Sequence, residues 1–147
     1  MYSLTTSHSF DAAHFLYGYE GKCSNIHGHR WKVVLEVCTE ELSEDAQTRG
    51  MYVDFSDLKS DLKEKVNELD HCLIIETGSL KPKTMEALDE EGFRIMQFDF
   101  RPTAENMAKY FFEQMKGCGY QVKQVTVYET PSNAATYSEK IVEGIVK

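Results

Sequence analysis

The segment that decides the fold reads Cys23-Ser24-Asn25-Ile26-His27-Gly28-His29-Arg30-Trp31-Lys32-Val33-Val34-Leu35-Glu36-Val37-Cys38. From residue 27 onward, apolar and polar side chains largely alternate, and this period of two predicts a strand with one buried face. The side chains that share the apolar face are His27, His29, Trp31, Val33, Leu35 and Val37. The paired histidines therefore lie at the end of an apolar face and point in the same direction, as chelation of a metal ion requires.

A second strand with the same pattern is predicted over residues 2–15, and it ends at a third histidine. In this strand His14 is in register with Tyr2, Leu4, Phe10 and Ala12, so it also belongs to an apolar face. Three neutral imidazoles suit Zn²⁺ best, and they leave its fourth coordination position open for water or substrate. The sequence therefore predicts a catalytic zinc site at His14, His27 and His29, with the two strands adjacent.

The rest of the chain alternates between helical and extended patterns. The expected elements are strands over 2–15 and 25–38, a helix over 56–69, a loop over 76–92 with at most one helical turn, an extended segment over 93–100, a helix from Pro102-Thr103 to Gly117, and strands over 121–130 and 134–138. The order β-β-α-α-β-β predicts an α+β fold in which a four-stranded antiparallel sheet carries two helices on one face. A chain of 147 residues fits one domain, expected over 1–147.

Composition excludes several function classes. The hydrophobic fraction of 41% and the charged fraction of 27% are those of an ordinary soluble protein. A net charge of −8 argues against nucleic-acid binding, although Lys22, Arg30 and Lys32 form a local basic group that suits a small anion. Neither a membrane span nor a signal sequence is evident, so we expect a cytoplasmic protein. The four cysteines show no CxxC spacing and are expected to be reduced.

Cys23 lies in a loop four residues before His27 and allows three interpretations. A neighbouring cation would lower its thiol pKa, and the thiolate could then act as a base or nucleophile. As a fourth ligand it would instead close the coordination sphere and give a non-catalytic, zinc-stabilised binding module. It could also be a small, half-buried side chain without a chemical role.

Two acidic positions are further candidates. Asp70 directly precedes His71, and a histidine oriented by a carboxylate is a common proton shuttle, although both residue types are also common at helix ends. Glu129 ends the apolar face formed by Val125 and Val127. A partly buried carboxylate needs donors, which a ligand with two adjacent N–H groups or solvent at the strand end could provide.

Taken together, these motifs resemble the 6-pyruvoyltetrahydropterin synthase and 6-carboxytetrahydropterin synthase family. The resemblance covers nearly the whole chain, in order. It is carried by Ser9-Phe10-Asp11-Ala12-Ala13-His14, Cys23-Ser24-Asn25-Ile26-His27-Gly28-His29, Val53-Asp54-Phe55-Ser56-Asp57-Leu58-Lys59, Leu69-Asp70-His71, Pro102-Thr103-Ala104-Glu105-Asn106 and Tyr128-Glu129-Thr130.

The resemblance implies a role for each candidate and an architecture. The implied roles are zinc ligands for His14, His27 and His29, the catalytic thiol for Cys23, a proton-transfer pair for Asp70 and His71, and the pterin anchor for Glu129. The implied architecture is the tunnel fold, in which subunit sheets join into a barrel and active sites form between subunits, with a homohexamer expected.

The resemblance also implies a reaction. This chain resembles the 6-carboxy branch of the family, because three residues separate Cys23 from the His-Gly-His pair. The implied activity is a lyase that converts 7,8-dihydroneopterin triphosphate to 6-carboxy-5,6,7,8-tetrahydropterin, acetaldehyde and triphosphate in queuosine biosynthesis. One rival is a 6-pyruvoyltetrahydropterin synthase that uses the same residues. The rival from another class is a non-catalytic, zinc-stabilised module that binds a pterin or purine, with Cys23 as the fourth ligand. The segment between His71 and Pro102 is longer than in compact members, and could cover the site or extend a subunit contact.

Overall fold

Two long strands form the centre of the structure. The structure is a computed structural model that describes residues 1–139, and residues 140–147 of the expected domain lie outside the described part. Strands β1 (Tyr2–His14) and β2 (His27–Thr39) pair antiparallel along their whole length, so that His14 faces His27 and Ala12 faces His29. The predicted alternation is confirmed, because the apolar face of β2 from Trp31 onward is fully buried.

The described residues form six strands and three helices. After β1 and β2 the elements are α1 (Phe55–Asn67), β3 (Leu73–Glu76), α2 (Pro82–Glu90), β4 (Ile95–Phe98), α3 (Ala104–Gly117), β5 (Val122–Thr130) and β6 (Asn133–Tyr137). The strand order in the sheet is β4-β3-β1-β2-β5-β6. The β1, β2, β5 and β6 pairs are antiparallel, whereas β3 runs parallel to both β1 and β4. The predicted α+β class is confirmed.

The prediction of a four-stranded sheet with two helices was wrong. Two short strands, β3 and β4, extend the β1 edge, and α2 makes the crossover that parallel pairing requires. The run Leu73-Ile74-Ile75 is apolar without alternation, because Ile74 and Ile75 point to opposite sides and both are buried. So short an apolar run has no period from which its structure can be assigned.

The expected loop over 76–92 was also wrong, because α2 occupies most of it. None of the α2 residues is buried, so the helix has no continuous apolar stripe to reveal it. Its end signals were present: Pro82 occupies the first turn, and Gly92 follows the helix with a φ of +79°. The extended segment expected over 93–100 is confirmed in β4.

The other two helices begin at side-chain caps. The Asp54 carboxylate accepts a hydrogen bond from the Ser56 amide at 2.7 Å, and the Thr103 hydroxyl accepts one from the Asn106 amide at 3.2 Å. These bonds satisfy amide donors that have no partner inside the first helical turn. The predicted positions of α1 and α3 are confirmed to within two residues at each end.

Helices α1 and α3 bury their apolar stripes on one face of the sheet. Phe10 and Trp31 stack there with ring centroids 6.0 Å apart, and the Trp31 indole donates to the carbonyl of Ala12 at 3.2 Å. The helix side chains in this core are Leu58, Leu62 and Val66 of α1 and Ala104, Met107, Ala108, Phe111, Phe112 and Met115 of α3. At the end of this face His14 is 1% exposed, so the core leads directly into the histidine positions. Within residues 1–139, no helix combines the length and hydropathy of a membrane span.

Candidate active site

Three histidines from the two central strands converge at the end of the core. The Nε2 atoms of His14 and His27 lie 3.1 Å apart. The ring of His29 lies 5.2 Å from that of His14 and 4.9 Å from that of His27, measured between centroids. The antiparallel register explains the cluster, because it sets His14 opposite His27 and places His29 two residues farther along the same face.

Backbone carbonyls fix the orientation of two of these rings. The Nδ1–H of His14 donates to the carbonyl of Pro102 at 2.8 Å, and that of His27 donates to the carbonyl of Asn25 at 2.7 Å. Each Nε2 therefore presents a lone pair, and two lone pairs 3.1 Å apart suit a shared cation. Tetrahedral zinc with nitrogen ligands would place them about 3.3 Å apart, and a second hydrogen bond to a carbonyl is usual for zinc-bound histidine. The donor set thus fits a metal ion.

Glu129 joins this cluster from β5. Its Oε1 lies 3.1 Å from Nε2 of His29, yet that nitrogen is buried and has no hydrogen bond to any residue in the described range. The four ligand atoms of the three histidines and Glu129 lie within 4.8 Å of one another. The geometry allows Glu129 either to complete the metal coordination or to accept hydrogen bonds from a ligand bound beside the metal.

The electrostatic setting keeps the imidazoles of His14 and His29 neutral. Burial lowers the pKa of His14 to about 4, although the hydrogen bond to Pro102 acts in the opposite direction and the neighbouring histidines lower it further. Burial also lowers the pKa of His29, and the Glu129 carboxylate partly opposes that change. These two histidines are therefore in the form that binds metal at neutral pH.

Cys23 lies outside this group of ligand atoms. It occupies a short helical turn, Lys22–Ser24, in the loop between β1 and β2, and its side chain is partly exposed. Its carbonyl accepts a hydrogen bond from the Leu16 amide at 2.8 Å, which holds the loop close to the end of β1. Among residues 1–139 the fourth candidate ligand is Glu129 rather than this thiol, so a closed site of one cysteine and three histidines has no structural support.

Asp70 and His71 form a pair just after α1. The Nδ1 atom of His71 lies 3.0 Å from Oδ2 of Asp70. The other carboxylate oxygen of Asp70 accepts from the Asp11 amide at 2.9 Å, and this bond is the main cause of the lowered pKa of Asp70, to which the contact with His71 and the charge of Arg94 add. The His71 amide donates to the carbonyl of Asp11 at 2.7 Å. Both residues of the pair are thus hydrogen-bonded to the backbone of β1.

The structure does not bring this pair into the histidine cluster. His71 lines a cavity of 690 Å³ together with Asp11, Gly28 and Arg30, strand residues on the face opposite the helices, and His29 of the cluster lines the same cavity. The imidazole of His71 is 74% exposed and the carboxylate of Asp70 35% exposed. One chain therefore assembles the three histidines with Glu129, and leaves Cys23, Asp70 and His71 outside that group.

The sequence reasoning missed the groups that orient the site residues. These are the carbonyls of Pro102 and Asn25 behind the histidines, and the backbone of Asp11 beside Asp70. A carbonyl acts through its position and not through its side chain, so no residue type signals it. Only the placement of the α3 start next to β1 brings Pro102 within reach.

Comparisons with known proteins agree with this geometry. The family model described as 6-pyruvoyl tetrahydropterin synthase matches residues 3–140. A 6-carboxy-5,6,7,8-tetrahydropterin synthase of Haemophilus influenzae is 32% identical over 142 residues, which is 95% of this chain and all of the relative. The enzyme of the same name from Aquifex aeolicus is 33% identical over 129 residues, covering 81% of this chain and 77% of the relative.

Solved structures share the fold. An uncharacterized protein from Wolinella succinogenes superposes with a TM-score of 0.78 at 21% identity, and 6-pyruvoyl tetrahydropterin synthase from Plasmodium vivax with 0.68 at 22% identity. Each comparison covers 95% of this chain and 98% of the other. At this sequence identity the likeness concerns the fold alone. The fold of the subunit agrees with the expected tunnel fold. By the family match and the two sequence relatives, the chain belongs to the 6-pyruvoyl tetrahydropterin synthase family, and it is a lyase.

Proposed function

We propose that the protein is a zinc-dependent 6-carboxytetrahydropterin synthase of queuosine biosynthesis. Its substrates would be 7,8-dihydroneopterin triphosphate and one water molecule, and its products 6-carboxy-5,6,7,8-tetrahydropterin, acetaldehyde and triphosphate. The observation that carries the proposal is the convergence of the three histidines, with the Nε2 lone pairs of His14 and His27 3.1 Å apart and their Nδ1 atoms bonded to carbonyls.

Zinc is the proposed ion because a set of three imidazole donors suits it. His14, His27 and His29 would hold it. When bound, it supplies Lewis acidity that polarises an oxygen of the substrate side chain and acidifies the neighbouring C–H and O–H groups.

The remaining candidates would move protons and position the pterin. We propose that Cys23 and the Asp70–His71 pair transfer protons on opposite faces of the substrate side chain. Glu129 would accept hydrogen bonds from the exocyclic amine and the adjacent ring N–H of the pterin, which orients the reacting carbon. Its partly buried position beside the histidines supports this role, since a carboxylate there needs donors.

Two features favour the 6-carboxy product over the 6-pyruvoyl product. Only Ser24, Asn25 and Ile26 separate Cys23 from His27, the shorter spacing. The sequence relatives from Haemophilus influenzae and Aquifex aeolicus are both named for the 6-carboxy product. The 6-pyruvoyl activity stays the alternative, because the fold is shared with the Plasmodium vivax enzyme and the same residues would serve it.

We further propose that the active form is a homohexamer of two barrel-forming trimers, with active sites between subunits. Among residues 1–139 the outermost strands of the sheet are the short β4 and β6, and joining sheets at such edges satisfies the backbone groups that an edge strand leaves unpaired. The exposed position of Asp70 and His71 supports sites shared between chains. A stable, active monomer at micromolar concentration, as judged by light scattering, would contradict this assembly.

Product analysis tests the proposed function. Purified protein loaded with zinc is incubated with 7,8-dihydroneopterin triphosphate, and the pterin products are separated and identified by mass. The expected products are 6-carboxytetrahydropterin and an equal amount of acetaldehyde. A 6-pyruvoyl product without acetaldehyde would establish the alternative, and failure to consume the substrate would refute both.

A further inference from the structure

His71 has an unusual backbone conformation. Its φ of +59° is the only positive value at a non-glycine position within residues 1–139. Side chains with a Cβ adopt this left-handed conformation at an energetic cost, so the surroundings must hold it in place. Two contacts already described hold one side of the turn, namely the hydrogen bonds from the His71 amide and to the Asp70 carboxylate, both made with the backbone of Asp11.

Arg94 holds the opposite side of the same turn. Its Nη1 donates to the carbonyl of Asp70 at 2.7 Å, and its Nη2 donates to the carbonyl of Glu68 at 3.2 Å. The carbonyl of Arg94 also accepts from the Leu73 amide at 3.0 Å. One residue therefore fixes the peptide before His71, the last turn of α1 and the start of β3.

The chemistry of a guanidinium suits this position. The carbonyls at the end of α1 have no partner inside the helix and carry partial negative charge, so a cation stabilises them. The planar fork of arginine reaches two acceptors at once, whereas a lysine ammonium acts as a point charge. Arg94 also lines the same cavity as His71, and its charge contributes to lowering the pKa of Asp70.

We infer that Arg94 is a positioning residue for the Asp70–His71 pair: by bridging the carbonyls of Glu68 and Asp70 it holds His71 in the conformation needed for proton transfer. The inference rests on the proposed function, since it gives the pair a catalytic task. It also assigns a role to the long segment before Pro102, which carries Arg94 and adds β3, α2 and β4 to the sheet. That segment would support the proton-transfer pair from the β1 edge.

The test compares Arg94→Ala, Arg94→Gln and Arg94→Lys with Arg49→Ala, a matched control that removes an exposed arginine charge from another loop. Turnover is followed as triphosphate release, which both pterin products share. We expect Arg94→Ala to lower kcat between about five- and a hundredfold with KM and zinc content unchanged, as misplacement of a catalytic group does. Arg94→Lys should recover part of the loss, because it restores one charged donor, and Arg49→Ala should match the wild type.

A double-variant comparison separates positioning from other roles. In a His71→Ala background, Arg94→Ala should lower kcat no further, since its effect acts through His71. A raised KM with unchanged kcat would make Arg94 a substrate-binding residue and overturn the inference, as would a full additional loss in the His71→Ala background. If Arg94→Ala does not fold, the same comparison is made with Arg94→Gln.

Failure of this inference is distinguishable from failure of the proposed function. A wild-type protein that releases triphosphate with the 6-pyruvoyl product would refute the 6-carboxy assignment and leave the Arg94 comparison intact. A His71→Ala variant with wild-type turnover would overturn the inference, because there would be no proton-transfer role to support. If His71→Ala lowers turnover but Arg94→Ala turns over like the wild type, the inference is overturned and the proposed function stands.

Discussion

The histidine cluster and the Asp70–His71 turn lie beside the same end of β1, yet they are built in different ways. The cluster closes the buried core: His14 is 1% exposed, and its ring lies 4.9 Å from that of Trp31. The Asp70–His71 turn is largely exposed, and it is held by backbone contacts to Asp11 and by Arg94. The metal-binding geometry is thus set by packing within one chain, whereas the proposed proton-transfer pair faces outward, toward a surface that another subunit would complete.

The largest expected effect concerns the cluster. Replacing His29 with Ala removes one of three nitrogen donors. We therefore expect loss of turnover and of the bound zinc, which is about one ion per chain in the wild type. Metal content by atomic emission and triphosphate release measure the two effects. Full zinc occupancy in a His27→Ala, His29→Ala double variant would refute the ligand assignment.

Metal removal tests whether the histidine cluster keeps its fold without an ion. Carbonyls and core contacts orient the histidines without an ion, so we expect a chelator to abolish turnover while circular dichroism and cooperative unfolding persist. Added zinc should restore turnover. Unfolding on chelation would instead indicate a structural metal site.

The next effect concerns the thiol outside the cluster. Cys23→Ala should keep the fold and the zinc but lose roughly a hundred- to ten-thousandfold in kcat, the usual contribution of a general acid or base. Cys118→Ala removes an exposed thiol elsewhere and is the matched control. Loss of zinc in the Cys23 variant would make the thiol a ligand, in conflict with its position outside the ligand group.

Glu129 lies in the histidine cluster, but by our proposal it binds the pterin and not the metal. Glu129→Gln should bind substrate more weakly by roughly 2 to 5 kcal/mol, the range for losing one partner of a buried charged hydrogen bond, while zinc content stays the same. An amide cannot accept both hydrogen bonds from the pterin edge. Loss of zinc would identify Glu129 as a metal ligand, and unchanged KM and kcat would show that the pterin is anchored elsewhere.

The smallest expected effect is the pH dependence of stability at the exposed turn. The pKa of Asp70 is lowered, mainly by the hydrogen bond from the Asp11 amide, so the ionised carboxylate stabilises the folded state. This contribution is complete above the unfolded pKa of about 4 and is lost as the pH falls through the lower folded pKa. In metal-free protein, urea unfolding should show Asp70→Asn less stable than the wild type at pH 7, with a smaller difference near pH 3.

The control for that measurement is Asp89→Asn, which removes an exposed carboxylate from α2. It should leave the unfolding free energy unchanged at both pH values, within the small effects usual for surface substitutions. A difference for Asp70→Asn that is equal at pH 7 and pH 3 would show that its carboxylate charge does not contribute to stability.

The same contrast explains how much the sequence could predict. Long alternating strands identified the faces of β1 and β2, and with them the positions of His14, His27 and His29 at the end of the core. Capping residues and apolar stripes located α1 and α3. These features repeat over many residues, so their pattern is evident without knowledge of distant contacts.

What the sequence did not reveal depends on contacts between distant segments. Strands β3 and β4 are four residues each, and α2 buries no side chain, so none of these three elements has a periodic pattern. The carbonyl of Pro102 reaches His14 across 88 positions of the chain. The guanidinium of Arg94 meets the turn before His71 only because β3 and β4 pair in parallel.

The most direct test of the account is subunit complementation between two inactive variants. The proposal that active sites lie between subunits implies that the Asp70–His71 pair of one chain can serve the metal held by another, so His29→Ala and His71→Ala subunits should restore activity when mixed. With random equal mixing, about a quarter of the sites would combine an intact metal centre with an intact pair, since each requirement is met independently by half of the chains. We predict turnover close to that fraction after co-refolding, and a mixture no more active than either variant alone, despite verified subunit exchange, would contradict the claim.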